Sequence, residues 1–303
     1  MLFAPIHTIF IYFWIKNIGE KMEIYQGIIL GILQGLTEFL PVSSSGHLVL
    51  GQNFFGITEP ALAFDISVHM GTFAATVVVF RKEILSIFKS LWALVSKQFC
   101  VKANPGIGFG GRTGKNDPDI RLSLLIITGS IPTACIGFFL KQYEHVIFAS
   151  VPLVGTMLLV TGTFLWLTRS LDHSGAGVEG FRHKTAFLIG ICQGLAVIPG
   201  ISRSGATISA AVFAGIERKT AARFSFLLSL PAIFGAQLLS IKDSMGGSNA
   251  AFGNATLYGA VVSFITGYFA LVLLLKIVDQ GKFYMFAPYC WALGVFALLS
   301  ALI

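Results

Sequence analysis

The chain has 303 residues, of which 55% are hydrophobic and only 12% are charged. A soluble protein of this length carries about twice that share of charged residues, so the composition excludes an ordinary soluble enzyme and a disordered chain. The net charge of +7 does not indicate nucleic-acid binding, because basic residues in a membrane protein mark its cytoplasmic loops.

The predicted elements are long apolar stretches, several of which could cross a bilayer as a helix. In chain order they are 2–15, 24–50, 61–80, 120–140, 151–168, 185–216, 220–241, 255–275 and 283–303. The predicted fold class is therefore all-α, a polytopic integral membrane helical bundle in a single membrane domain, 1–303. Residues 1–21 are expected to be either an N-terminal extension or an extra membrane helix.

Two of these stretches are interrupted by Pro, Gly and Ser, at PVSSSG (41–46) and at PGISRSG (199–205). Non-helical backbone at membrane depth persists only where protein or a water-filled cavity satisfies its polar groups. Each break is consistent with a kinked span or with a re-entrant helical hairpin, and we predict two re-entrant hairpins.

The two broken stretches also form an internal repeat. GILQGLTEFLPVSSSG (31–46) and GICQGLAVIPGISRSG (190–205) match at 8 of 16 positions, with an offset of 159 residues. This similarity predicts a duplication with halves of roughly 22–140 and 151–303.

Basic residues predict the orientation. Loops 81–120 and 170–184, with Arg218, Lys219, Lys276 and Lys282, contain 13 Lys and Arg, whereas loops 48–60, 141–150 and 242–254 contain only Lys141 and Lys242. The first set is therefore expected to be cytoplasmic. The first break then enters from outside and the second from the cytoplasm, so the repeats are inverted and their breaks meet near the midplane, where such proteins bind ligands.

Charged groups inside the membrane indicate where the chemistry is. Glu38 and Asp65 lie within apolar spans, Arg203 lies in the second break, and His47 and His69 are close in sequence to the acidic residues. Hydroxyls and glycines precede a new helix at both breaks, a pattern typical of anion binding and also of simple N-capping: Ser43, Ser44, Ser45, Gly46, Ser202, Ser204, Gly205 and Thr207.

Several roles stay open at this point. Glu38 is a candidate general base or metal ligand, or a structural partner of Arg203. His47 is a candidate for proton transfer or nucleophilic attack, or a helix cap. Asp65 and His69, spaced i and i+4, either orient each other at the edge of the site or pair within the bundle.

These motifs resemble the undecaprenyl-diphosphate phosphatase (bacitracin-resistance) family. The similarity is carried by QGLTEFLPVSSSGHL (34–48), FDISVHMGT (64–72), PGISRSGAT (199–207) and RFSFLLSLPA (223–232). The resemblance implies an enzyme of the bacterial inner membrane with its site facing the periplasm. Such an enzyme hydrolyses undecaprenyl diphosphate, recycles the lipid carrier of peptidoglycan synthesis and confers bacitracin resistance.

The resemblance also assigns residues. Glu38, Ser44, His47 and Arg203 fall on the family's catalytic positions, and Gln34 falls where other members carry Glu or Gln. It implies a divalent cation, Mg²⁺ or Ca²⁺, that bridges Glu38 and the diphosphate. Ser44 is the first choice of nucleophile, activated by Glu38 or His47, with His47 or water as alternatives.

The expected partners are undecaprenyl diphosphate in the bilayer and membrane lipids, without nucleic acid, and a homodimer is left open. A lipid flippase or secondary transporter is the alternative function, because inverted repeats with broken helices are typical of transporters.

Overall fold

The computed structural model describes residues 22–57, 62–103, 118–143, 147, 150–171, 175–245 and 253–301, so the prediction for 1–21 lies outside the described residues. The described part of the chain consists mainly of α-helices, with three 3₁₀ turns among them. The helices are α1 (Ile24–Phe39), α2 (Ser44–Phe54), α3 (Leu62–Val79), α4 (Arg81–Ala103), α5 (Pro118–Lys141), α6 (Val151–Leu167), α7 (His183–Leu195), α8 (Arg203–Phe213), α9 (Arg218–Met245), α10 (Asn254–Asp279) and α11 (Ala287–Ser300).

Five helical segments in the described ranges are long and apolar enough to cross a membrane: Pro118–Lys141, Val151–Ser170, Arg218–Ser240, Asn254–Asp279 and Phe283–Ser300. A sixth candidate is the pair Ala63–Val79 and Arg81–Trp92, which bends by 72° at its break. The all-α, polytopic fold class is thereby confirmed.

The prediction of a loop over 81–120 is wrong for its first part, which is helix α4. The basic residues suggested a loop, but apolar side chains recur between them at helical spacing. Leu85, Phe88 and Trp92 are 57%, 66% and 76% exposed, so α4 has an apolar face that the bundle leaves uncovered.

Both broken stretches fold as helical hairpins. In the first, the Tyr25 ring near the start of α1 lies 6.1 Å from the ring of Phe55, which follows α2. In the second, Ala176 before α7 exchanges backbone hydrogen bonds of 2.8 and 3.0 Å with Gly215 and Glu217, which follow α8. In each hairpin, the chain that follows the second helix therefore lies beside the start of the first helix.

The first helix of each hairpin crosses a long helix of the opposite half at a glycine. A Cβ atom on Gly31 of α1 would lie 2.5 Å from the carbonyl oxygen of Gly259 in α10. A Cβ on Gly190 of α7, at the matching position of the repeat, would be closer still to the carbonyl oxygen of Gly129 in α5. The two halves thus interlock through equivalent contacts.

The directions of the helices place the hairpins in opposite orientations. Two helices are parallel when later residues of one contact later residues of the other. This holds for α1 with α10, for α3 with α10, and for α5 with both α7 and α9. α3 and α9 are antiparallel, because Phe73 pairs with Phe234 and Phe80 with Phe226. The hairpins therefore enter the bundle from opposite ends, while the limits of the two halves stay a prediction.

Candidate active site

The tips of the two hairpins meet. The backbone N–H of Gly200 donates to Ser43 Oγ at 3.0 Å, and Ser204 Oγ donates to the carbonyl of Phe39 at 2.8 Å. Polar groups of each break therefore satisfy the irregular backbone of the other, which is what non-helical chain inside a membrane requires.

Glu38 lies at this contact, with its side chain only 6% exposed. Its Oε2 accepts hydrogen bonds from Ser44 Oγ at 2.7 Å and from Gln34 Nε2 at 2.9 Å. Its Oε1 lies 3.5 Å from Arg203 Nη1 across the contact. The fold therefore brings together four of the residues that the sequence singled out.

His69 joins the same group through Gln34. Gln34 Nε2 lies 2.9 Å from His69 Nδ1, which is 3.6 Å from Glu38 Oε2. Gln34 is fully buried, and its amide contacts both ionisable side chains. This makes Gln34 a bridge between α1 and α3, a role that the sequence did not suggest.

Asp65 does not contact His69 through a hydrogen bond. It accepts one from Gln52 Nε2 in α2 at 2.6 Å instead. The expected pairing of Asp65 with His69 is therefore wrong in both of its forms: His69 reaches the site, whereas Asp65 links α3 to the first hairpin. Gln52 carried no sequence signal, because it stands outside every motif.

His47 makes a separate set of contacts, with Ser43 and Tyr289. Its Nδ1 lies 2.8 Å from the Ser43 carbonyl oxygen, and its Nε2 lies 2.7 Å from the hydroxyl of Tyr289 in α11. Because a carbonyl only accepts, Nδ1 carries a hydrogen, and in the neutral ring Nε2 then accepts from Tyr289. Within the described residues, no hydrogen bond joins the His47 ring to Ser44 or Glu38. Tyr289, 242 residues away in an apolar span, was missed.

The serines at the two breaks differ in role. Ser202 is an N-cap, since its Oγ accepts from the Gly205 N–H at 3.1 Å. Ser43 makes no such cap for α2; its hydroxyl oxygen accepts a hydrogen bond from the Gly200 N–H instead. The N-terminus of α2 therefore presents backbone N–H groups and the positive end of its dipole beside Ser44.

The remaining predicted residues pack around these groups. Ser45 Oγ lies 3.4 Å from Ser43 Oγ, and Thr207 Oγ1 donates to the Arg203 carbonyl at 2.8 Å. A Cβ on Gly205 would lie 3.3 Å from Pro41, whereas one on Gly46 would have ordinary contact distances. Gly205 thus permits the close approach of the two tips.

A cleft opens beside Glu38 and Arg203. Most of its α9 wall lies within RFSFLLSLPA (223–232), a motif of the family resemblance, although neither Ser225 nor Ser229 was predicted as a site residue. The lining residues are Glu38, Phe39, Arg203, Ser204, Thr207, Ser225, Phe226, Ser229 and Ile233.

The described residues contain no group of three or more His, Cys, Asp or Glu side chains arranged to hold a metal ion. One observation is nevertheless consistent with a divalent cation bound at this site. Gln34 Oε1 is buried and has no hydrogen-bond partner among the described residues, and it belongs to the side chain that contacts Glu38. One amide oxygen and one carboxylate suit Mg²⁺ or Ca²⁺ when phosphate oxygens and water complete the coordination.

Comparison with known proteins identifies the family. The model of the bacitracin resistance protein BacA matches residues 27–296. A protein of Desulforapulum autotrophicum named undecaprenyl-diphosphatase is 58% identical over 93% of this chain and 100% of its own length. Proteins of the same name from Desulfosudis oleivorans and Carboxydothermus hydrogenoformans are 55% and 42% identical, over 90% and 92% of this chain and 97% of each relative. This chain belongs to the bacitracin resistance protein BacA family.

Proposed function

We propose that this protein hydrolyses undecaprenyl diphosphate to undecaprenyl phosphate and inorganic phosphate. This reaction recycles the lipid carrier of peptidoglycan synthesis and underlies bacitracin resistance. The family and the name of the relatives support the reaction. The observation that carries it is the hydrogen bond from Ser44 to Glu38, with Arg203 at the other carboxylate oxygen, inside a bundle of apolar helices.

In the proposed reaction Ser44 is the nucleophile. Its Oγ attacks the terminal phosphorus, the bond to the bridging oxygen breaks, and Glu38 takes the hydroxyl proton. Undecaprenyl phosphate leaves, and water then hydrolyses the phosphoserine and releases inorganic phosphate. A hydroxyl hydrogen-bonded to a carboxylate at 2.7 Å is the usual pairing of nucleophile and base. The contacts of His47 favour Glu38 as the base, because both ring nitrogens of His47 are already engaged.

Arg203 supplies charge stabilisation. Phosphoryl transfer depends mainly on positioning and on neutralising the oxygens of the transferred group. The guanidinium presents a planar set of donors to phosphate oxygens, and the side chain is 34% exposed, so it is accessible from the cleft. The N-terminus of α2 adds a positive dipole end at Ser44.

We further propose that Mg²⁺ or Ca²⁺ assists. Glu38 and Gln34 Oε1 would hold the ion, whose chemistry is to neutralise charge on the diphosphate. The assignment is supported by the amide oxygen of Gln34, which has no hydrogen-bond partner in the part of the chain that the structure describes.

We also propose that the protein lies in the bacterial inner membrane with this site open to the periplasm. The distribution of basic residues supports this orientation. Exposed apolar side chains such as Phe138, Phe269 and Phe296 would contact membrane lipids. A homodimer stays a prediction.

Phosphate release from undecaprenyl diphosphate by the purified protein in detergent tests the function. We expect Arg203→Ala and Ser44→Ala to lower kcat by about 100-fold or more, because each removes a group that acts on the reacting phosphoryl group. Arg182→Ala, at an exposed arginine before α7, is the control and should keep full activity. Lanes with Mg²⁺, Ca²⁺ and chelator test the cation. A folded wild-type protein that releases no phosphate in any lane would favour the flippase or transporter.

A further inference from the structure

We infer that Ser225 of α9 and Arg203 of α8 form a binding subsite for a phosphoryl group of the diphosphate. This inference rests on the proposed function, which it deepens by naming where the ligand's oxygens bind. Both side chains line the cleft beside Glu38, and both belong to helices rather than to loops.

The first step is an account of the hydroxyl hydrogens in the cleft. Phosphate oxygens accept hydrogen bonds, so a phosphate subsite needs donors. Each of three lining hydroxyls already donates to a backbone carbonyl at 2.8 Å: Ser204 to Phe39, Thr207 to Arg203 and Ser229 to Phe226. These three hydroxyls have no hydrogen left to donate to a ligand.

Ser225 is different. It is 2% exposed, and its Oγ has no hydrogen-bond partner among the described residues. A buried hydroxyl without a partner carries a desolvation cost that native proteins avoid unless water or a ligand binds there. Because Ser225 lines the cleft, the missing partner is expected to come from the ligand.

The charge beside Ser225 identifies the class of that ligand. Arg203 lies 3.5 Å from Glu38 Oε1 through Nη1, and its guanidinium has further N–H groups for an anion. Ser44 is bound to the other carboxylate oxygen of the same Glu38. A diphosphate can therefore have its terminal phosphoryl group between Ser44 and Arg203, while other N–H groups of the same guanidinium and the Ser225 hydroxyl bind its second phosphoryl group.

Two matched variants test the subsite. Ser225→Ala removes the uncommitted hydroxyl, whereas Ser229→Ala removes one from the same wall and helix whose hydrogen is already donated. The probe is methylenediphosphonate, a diphosphate that cannot be hydrolysed at its bridge, with binding to the full-length protein in detergent measured by calorimetry. Steady-state hydrolysis of undecaprenyl diphosphate is measured in parallel.

We expect Ser225→Ala to weaken methylenediphosphonate binding and to raise KM, each by about tenfold, the effect of losing a hydrogen bond to a charged group. Ser229→Ala should stay within about twofold of wild type. If Ser225→Ala does not fold, Ser225→Cys keeps a similar shape with a weaker donor and should give a smaller change in the same direction.

The outcomes separate the two claims. Equal affinity of wild type and Ser225→Ala, or equal losses in the two alanine variants, would overturn the subsite while phosphate release still supports the function. A wild-type protein that binds the probe through Ser225 but releases no phosphate from the lipid would overturn the function alone. Absence of binding to active wild-type protein would overturn the subsite.

Discussion

His47 is held at both ring nitrogens, by the Tyr289 hydroxyl on one side and the Ser43 carbonyl on the other. Ser43 is the residue before Ser44, and its φ of 69° lies in the left-handed region that non-glycine residues avoid. Such a conformation costs about 1–3 kcal/mol and persists only where its surroundings fix it. We infer that the chain from Tyr289 through His47 to Ser43 keeps Ser44 directed at Glu38.

The first residue-scale prediction concerns Tyr289. Tyr289→Phe removes only the hydroxyl, and we expect kcat to fall about threefold to tenfold with KM unchanged, because one neutral hydrogen bond is lost and Ser44 is less well oriented. His47→Ala should lower kcat further, and adding Tyr289→Phe to it should have no additional effect. Steady-state kinetics of the single and double variants measure this coupling.

The control is Tyr258→Phe, since Tyr258 has the same 49% exposure as Tyr289 and lies on α10. It should keep wild-type kinetics. Additive losses from Tyr289→Phe and His47→Ala would contradict the positioning role, and so would an effect of Tyr289→Phe on KM alone.

The second residue-scale prediction concerns Gln34. The amide donates to Glu38, so Gln34→Glu replaces a hydrogen bond by repulsion between two buried carboxylates. A divalent cation between the carboxylates would relieve that repulsion. We therefore expect Gln34→Glu to be active with Mg²⁺ or Ca²⁺ and more sensitive to chelator than wild type, measured as phosphate release against free cation concentration. Identical chelator sensitivity of the two proteins would contradict the proposed ion site.

The sequence indicated Glu38, Ser44 and Arg203 because charges and helix breaks inside a membrane are costly and therefore stand out locally. It did not indicate Tyr289, because a hydroxyl in an apolar helix looks like any other until the fold shows what it faces. Ser225 lies in one of the family motifs, but only the fold shows that it lines the cleft beside Arg203. His69 was assigned to the site only as an alternative, since its contact with Gln34 joins residues 35 positions apart.

At the scale of helices, the close crossings at Gly31 and Gly190 hold the two hairpins in the bundle. Both glycines pack against backbone of the opposite half, where a Cβ has no room. The repeat predicted that these residues are equivalent, but it did not predict which helices they pack against, because that depends on how the two halves interlock. Likewise, the basic residues of α4 led to the prediction of a loop, whereas the segment is a helix with an exposed apolar face.

This packing gives the element-scale prediction. Gly31→Ala and Gly190→Ala are each expected to destabilise the fold by about 1–3 kcal/mol, as overpacking at a tight contact does. Gly235→Ala in α9 is the control, because a Cβ there meets no atom within 4 Å and alanine favours the helix by about 1 kcal/mol over glycine. Thermal unfolding in detergent should rank the variants accordingly. Unfolding temperatures of the first two variants at or above that of the control would contradict tight packing at the two helix crossings.

Across the whole molecule, the contacts and the charges describe the same arrangement independently. The parallel and antiparallel contacts place the start of α9 and the end of α10 at one end of the bundle. These ends carry Lys219 and Lys276, both of which the basic-residue count assigns to the cytoplasm. With these ends in the cytoplasm, the first hairpin enters from the opposite side of the membrane, which agrees with the proposed opening of the site to the periplasm.

This orientation is tested with cysteines at the two ends of one helix. Asn254 begins α10 and Lys282 follows its end; both are exposed, and the 26-residue helix between them is about 39 Å long, enough to cross the bilayer. We expect a membrane-impermeant maleimide to label Asn254→Cys in intact spheroplasts, and Lys282→Cys only in inverted vesicles. Both substitutions are made in a protein whose own cysteines are replaced by alanine, at Cys100, Cys135, Cys192 and Cys290. This cysteine-free protein is the control and should not react with the maleimide. The reverse labelling pattern would place the first hairpin on the cytoplasmic side and contradict a site open to the periplasm.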